Sequence, residues 1–245
     1  LAFILGFIFL QDSPALWIGF IMLMVTPCTD WYLVFTGLSK GNIVLSTSIL
    51  PMNLVLQLIL LPIYLLIFAG TITTINTSLL VESILLILMV PLLISILIKQ
   101  ISGRFMKEYW LEEKVYPKLD HVQLGFLNLA IMSMFASQGE HLVQNPYVLF
   151  QLLVPVLVFF VIVFFFGQLV GRFAGFSYQD TASLNLTTLA RNSPIALAIA
   201  LTAFPEQPLI ALVLVIGPLI ELPVLGLVSQ VLLFIRDRWV PVTSE

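Results

Sequence analysis

Three ionisable residues of mixed sign and one thiol stand deep inside apolar runs of this sequence, and they set what it can do chemically. Asp30 lies near the middle of residues 16–38, Arg191 near the middle of 181–204 and Glu221 near the middle of 209–235. An unpaired charge at the centre of a membrane-spanning helix costs at least ~2.5–3.5 kcal/mol, so each is expected to face a protein interior or a water-filled cavity and to find a partner. Glu82, three residues in from the end of 79–98, is expected to reach the membrane surface instead. The thiol, Cys28, stands in the run VTPCTDW beside Pro27, Thr29 and Asp30. Sulfur is a ligand for soft ions, although a lone cysteine among apolar residues also serves simply as a small hydrophobe. Arginine is suited to a carboxylate or sulfonate, and equally to pairing with Asp30 or Glu221.

Two of these charges flank prolines. The run VTPCTDW has its counterpart in LARNSPIAL, with Arg191, Asn192, Ser193 and Pro194. Proline inside a helix removes one hydrogen bond and clashes with the carbonyl a turn earlier. The backbone groups so freed are tolerated in hydrocarbon only where they line a cavity or meet polar side chains, and both prolines have such neighbours. Structural helix breaks are therefore expected at Pro27 and Pro194. Pro27 and Pro194 are 167 residues apart, as are Pro51 and Pro218 in the following helices. That spacing, with the two broken helices running in opposite directions, suggests an inverted repeat whose broken helices cross around a substrate. Cys28, Thr29, Asp30, Arg191, Asn192 and Ser193 are the expected lining, with Asn53 and Glu221 reaching in from adjacent helices.

The elements that must position these residues are membrane spans. Hydrophobic residues make up 60% of the 245 positions, charged residues 9%, and the mean hydropathy is +1.10, which excludes a water-soluble globular domain. Apolar segments fall near 16–38, 43–70, 79–98, 122–139, 147–171, 181–204 and 209–235, after a partial run over 1–10. Each of the seven is long enough to cross ~30 Å of hydrocarbon as a helix and too long for a barrel strand. The expected fold is an all-α polytopic membrane protein, a single domain over residues 1–245 with about eight spans, the first partial. Further helices are expected upstream of Leu1, because 1–10 is half a span and no signal-peptide pattern precedes Gln11.

Assigning the loops alternately to two sides puts Lys40, Lys99, Arg104, Lys107, Lys114, Lys118, Arg172, Arg236 and Arg238 on one side, and only Asp12, Glu140, His141 and Glu206 on the other. The positive-inside rule then makes the 99–121 loop and the C-terminus cytoplasmic, in a multi-pass protein of the plasma membrane. One cysteine and two histidines outside the apolar runs leave no metal-site pattern, and no cofactor motif or nucleic-acid-binding basic face is present.

With these residues in view, the sequence resembles the bile-acid/sodium symporter superfamily and, within it, the arsenical-resistance permeases. The run Pro27-Cys28-Thr29 is similar to the proline-cysteine-threonine motif of those permeases, and GPLIELPVL, Gly217 to Leu225, is similar to a run in their last helix. NSPIALAIA sits where they carry their second crossing helix. The resemblance implies an inverted-repeat secondary transporter: a core with two crossing discontinuous helices moving against a flatter panel that would include 79–98 and 122–139. It also implies that Cys28 handles the metalloid. Two departures stand out: Pro194 replaces an acidic residue of the arsenite permeases, and Arg191 stands where sodium-coupled relatives have a glutamine that helps to coordinate sodium.

Two transport readings follow. One is efflux of a small inorganic oxyacid, arsenite or antimonite, through Cys28. The other is transport of a small organic anion held by Arg191. Proton coupling through Glu221 or Asp30 suits either. A third class, an intramembrane enzyme or receptor, would need a metal-binding histidine pair, a Ser/His couple or a cofactor motif, and the spans offer none.

Overall fold

The computed structural model describes residues 1–28, 30–72, 77–105, 115–236 and 238, and it is helical almost throughout. α1 covers Ala2–Leu10, α2 Pro14–Val25 and α3 Trp31–Leu38; α4 runs from Ile43 to Tyr64 and continues as a π turn through Leu65–Ala69. α5, Thr77–Ile84, passes through a second π turn, Leu85–Met89, into α6, Val90–Phe105. α7, Tyr116–Gln144, α8, Pro146–Phe173, α9, Tyr178–Leu189, α10, Ser193–Ala203, and α11, Pro208–Arg236, complete the order.

Three helical stretches among the described residues are long and apolar enough to cross a membrane unaided: Ser78–Arg104, Pro146–Phe173 and Pro208–Arg236. α4 joins them if its two limbs, bent by 42° between Gln57 and Ile59, count as one span. Pro62 accounts for the bend, since its ring displaces the carbonyl four residues earlier, at Leu58. α7 is long enough, at about 1.5 Å per residue, but Gln123, Asn128, Ser133, Ser137 and Gln138 dilute its apolar content.

The expected spans 16–38 and 181–204 are each two half-helices, α2 with α3 and α9 with α10. The expected 99–121 loop is shorter than the charge pattern suggested. α6 carries on to Phe105 and α7 starts at Tyr116, because a helix does not end where its apolar run ends: Lys99, Arg104 and Lys118 lie on helical turns. Lys107 and Lys114 lie outside the described residues.

The centre of the molecule is the packing of α2 on α11. Leu16 to Met24 are all buried, as are Ile210 to Gly217. Gly19 permits the close approach, for a Cβ there would fall 2.8 Å from Cβ of Val213. Gly217 does the same one level along, where a Cβ would meet Leu23 Cδ1 at 2.7 Å and Ser193 Oγ at 2.8 Å. At one end of the core a polar clamp ties the α3–α4 turn to the start of α9. Asn42 Nδ2 donates to Asp180 Oδ1 at 2.8 Å, Asn42 N to Ser183 Oγ at 2.9 Å, and Tyr178 Oη to the carbonyl of Ser39 at 2.7 Å. Buried polar groups of this kind must be hydrogen-bonded, so the clamp fixes the two turns to each other.

Candidate functional site

The backbone leaves the helical region at Thr26, with φ −101 and ψ 97, and at Ala190, with φ −70 and ψ 140. The two extended stretches lie side by side as an antiparallel bridge between Pro27 and Arg191. Cys28 donates its N–H to the carbonyl of Ala190 at 3.0 Å, and Asn192 donates to the carbonyl of Thr26 at 2.9 Å. Four backbone groups freed by the helix ends thus satisfy one another where water is absent.

The bridge explains the residue types. In this register the amides of the two facing residues point away from the partner strand and need acceptors elsewhere. Proline at 27 has no N–H to satisfy. Arg191 has one, and it donates to Glu221 Oε1 at 2.7 Å from α11, whose carboxylate is 3% exposed. An antiparallel crossing of this kind is what an inverted repeat produces, but its register pairs Pro27 with Arg191, not with Pro194. Pro194 lies in the first turn of α10, just past the break, where its missing N–H breaks no helical bond.

Beyond the bridge each chain starts a new half-helix. Cys28 is 3% exposed, and its Sγ accepts from the amides of Trp31 at 3.3 Å and Asp30 at 3.5 Å, at the N-terminus of α3. Asn192 caps α10, its Oδ1 accepting from the amide of Ile195 at 3.2 Å. Ser193 is fully buried against Gly217, with Oγ lacking a hydrogen-bond partner. Thr29 lies outside the described residues.

Asp30 and Arg191 do not meet in the way their sequence positions suggested. Asp30, half-buried, accepts from Gln123 Nε2 of α7 at 2.5 Å. The Arg191 guanidinium turns the other way, donating from Nη2 to the carbonyl of Thr188 at 2.6 Å and lying 4.9 Å from the ring centroid of Phe159 on α8. It is the backbone of Arg191 that engages Glu221. Asn53 of α4 and Arg191 share the wall of a cavity of about 520 Å³, which Cys28 does not line. The structure therefore gathers Cys28, Asn192, Ser193, Arg191 and Glu221 at the bridge, sets Asn53 across the cavity and sends Asp30 towards α7.

Sequence reasoning missed Thr188, Phe159 and Gln123, which are spread over three helices and carry no local signal. Gly217 had one, as the first residue of the quoted GPLIELPVL run. Among the described residues, His, Cys, Asp and Glu side chains nowhere form a group of three that could hold a metal.

Apolar membrane-length helices packed around two half-helix pairs that meet at an unwound, hydrogen-bonded point define a class, the secondary membrane transporter. Residues 1–145 match the Sodium Bile acid symporter family. An arsenical-resistance protein Acr3 of Corynebacterium glutamicum is 30% identical over 261 residues, an alignment covering 100% of this chain and 70% of that protein. A second arsenical-resistance protein Acr3, of Alkaliphilus metalliredigens, is 23% identical over 208 residues, with 84% of this chain and 58% of that protein covered. An uncharacterized transporter of Synechocystis sp. is 27% identical over 214 residues, with 87% and 56% covered. The chain belongs to the sodium bile acid symporter family, a family of membrane transporters, and spans somewhat more than half the length of the last two relatives.

Proposed function

We propose that this transporter exports a trivalent metalloid oxyacid, arsenite or antimonite, across the plasma membrane, with Cys28 as the sulfur ligand. The observation that carries the reading is the placement of the thiol: Cys28 sits at the paired helix breaks, its sulfur oriented by two backbone amides. Soft sulfur prefers such a metalloid to the hard ions around it. Exchange is balanced when the thiol proton leaves with one hydroxyl of the oxyacid as water and a sulfur–metalloid bond takes its place. Two relatives bearing the name arsenical-resistance protein, one aligned over the whole of this chain, support the reading.

In this proposal the basic side, with the 99–121 segment and the C-terminus, faces the cytoplasm, and the metalloid moves outward in exchange for protons. Glu221 is the better placed proton carrier of the two carboxylates, since it touches the bridge through the Arg191 amide while Asp30 is engaged by Gln123. The full-length gene should restore arsenite resistance and lower arsenite accumulation in cells lacking their own exporter, and Cys28→Ala should abolish both while the protein still reaches the membrane. Full resistance with Cys28→Ala would end the metalloid reading.

A further inference from the structure

A groove of about 710 Å³ lies away from the bridge, between α6 and the start of α7, and its walls grade from one end to the other. Pro91, Ile94 and Ile98 form the apolar end, interrupted only by Ser95, and Lys99 and Ser102 form the polar end, with Leu119 of α7 on the opposite wall. It is open along its side, where Ile94, Ile98 and Leu119 are each more than half exposed. From Pro91 to Ser102 the helix rises ~16 Å at ~1.5 Å per residue, about half of the ~30 Å of hydrocarbon in a bilayer. The groove is thus one leaflet deep, and it turns polar where α6 leaves its apolar run at Lys99.

Lys99 is the one charged residue among those lining the groove, and among the described residues no carboxylate pairs with it. Arg104, two residues past Ser102, and Lys118, beside Leu119, add the same sign at the polar end. A lysine at a membrane boundary can reach water unaided, so Lys99 by itself defines nothing. What defines a site is an apolar groove of leaflet depth that ends on it. A soluble anion would use only the polar end and leave the apolar walls bare. A further apolar helix would fill the walls but cover the ammonium without a counter-charge, which is costly. A phospholipid matches both ends, and its phosphate suits a compact ammonium with a hydroxyl donor beside it. Clustered cations at the boundary favour a headgroup of net negative charge over one that brings its own cation.

We propose that this groove binds an anionic phospholipid, its headgroup phosphate on Lys99 and the Ser102 hydroxyl and an acyl chain laid along Ile98 and Ile94. The groove shares no residue with the bridge or with Cys28, so the site stands or falls independently of the metalloid reading.

The test uses the full-length purified protein in nanodiscs of phosphatidylcholine, with phosphatidylglycerol added in steps. Thermal unfolding and native mass spectrometry of retained lipid read binding. Phosphatidylglycerol should raise the unfolding temperature saturably and be retained in preference to phosphatidylcholine, while glycerol phosphate, the headgroup without chains, has no effect. Lys99→Gln should weaken the response by ~fivefold or more, the loss expected of one basic residue at a lipid surface. Ile94→Trp, which keeps the charge and fills the groove, should weaken it as well. Arg172→Gln, which removes a cation in the last turn of α8 outside the groove, should respond as the parent does. No response to phosphatidylglycerol, an equal response to phosphatidylcholine, or an equal effect of glycerol phosphate would overturn the proposal. So would an unchanged response in Ile94→Trp, or an equal loss in Lys99→Gln and Arg172→Gln, which would mean diffuse charge attraction. If Lys99→Gln fails to fold, Ile94→Trp and the comparison of the two lipids on the parent protein decide it.

Discussion

Cys28 and Asn192 occupy equivalent positions on the two sides of the backbone bridge: each follows a bridge residue, each donates its own amide across the pair, and each turns its side chain onto the N-terminus of the next half-helix. The fold thus uses one device twice, with a different atom each time. Asparagine is among the best capping residues, whereas a thiol is a weak acceptor. Asn192 is the N-cap of α10, whereas the cap position of α3 is Asp30, two residues after Cys28, so the sulfur meets the Asp30 and Trp31 amides from just outside that helix.

That asymmetry gives the first prediction. Asn192→Ala should destabilise the protein by ~0.5–2 kcal/mol, since the cap is lost and the break is buried. Cys28→Ala should cost less and leave expression intact while arsenite transport fails. Thermal unfolding in detergent, paired with arsenite uptake, separates the two; an equal loss of stability in both variants would mean that the thiol matters chiefly as an acceptor for those amides.

Gly217 predicts a packing defect and its relief. A Cβ there would press on Leu23 Cδ1 at 2.7 Å and on Ser193 Oγ at 2.8 Å. Gly217→Ala should destabilise by ~1–3 kcal/mol, the range for overpacking a filled core. Adding Ser193→Ala removes an unpartnered hydroxyl and one of the two clashes, so the double variant should recover part of the loss. Strict additivity of the two substitutions would argue against this contact.

Glu221 predicts a split between acceptor and charge. Its Oε1 receives the Arg191 amide, which otherwise has no acceptor at the bridge. Glu221→Leu should cost ~1–3 kcal/mol, the penalty for stranding a buried donor, while Glu221→Gln keeps an oxygen in place and should be milder. If Glu221 also carries protons, Glu221→Gln should fold yet lose the dependence of arsenite efflux on an imposed pH gradient. Retention of that dependence would reassign the proton to another group.

Much of this was legible in the sequence because the signals are local. Continuous apolar runs fix spans, and Pro27 with its small polar neighbours marks a break. What sequence could not show is register. Spacing linked Pro27 to Pro194, but the bridge pairs Pro27 with Arg191, because antiparallel hydrogen bonding selects the partner. Side-chain direction was equally hidden: three charges at similar depth suggested that Arg191 pairs with Asp30 or Glu221, yet Gln123 engages Asp30, the Arg191 guanidinium lies over Phe159, and Glu221 is met by the Arg191 backbone amide. Helix ends were misjudged around 99–121 for a simpler reason, since charged residues such as Lys99 and Arg104 continue a helix once it leaves the apolar layer.

The charge distribution predicts topology. With Lys107 and Gln144 each replaced by cysteine, an impermeant thiol reagent added to intact cells should label the Gln144 position and not the Lys107 position. Native Cys28, being buried, contributes little background. Labelling at Lys107 would reverse the orientation.

The last prediction concerns the coupling ion and rests on where the Arg191 guanidinium lies. Carbonyls near the C-terminal end of a half-helix are among the groups that coordinate a coupling cation in broken-helix transporters, since they lack helical partners and carry the negative end of the dipole. Thr188 is such a carbonyl, one residue before the end of α9, and Nη2 of Arg191 already donates to it at 2.6 Å. A fixed cation therefore stands where a mobile one would be held. At ~4 Å and an effective dielectric near ~20, two like unit charges repel by about 4 kcal/mol. Each ~1.4 kcal/mol is a factor of ten, so sodium affinity at this position falls by roughly a thousandfold. Transport should proceed without a sodium gradient and be driven by protons or by the substrate's own gradient. Substrate flux in proteoliposomes at constant pH, with and without imposed sodium, checks this. Arg191→Gln, which frees the Thr188 carbonyl and removes the fixed charge, is the variant in which sodium stimulation should emerge; strict sodium dependence of the parent protein would show that the guanidinium does not exclude the ion.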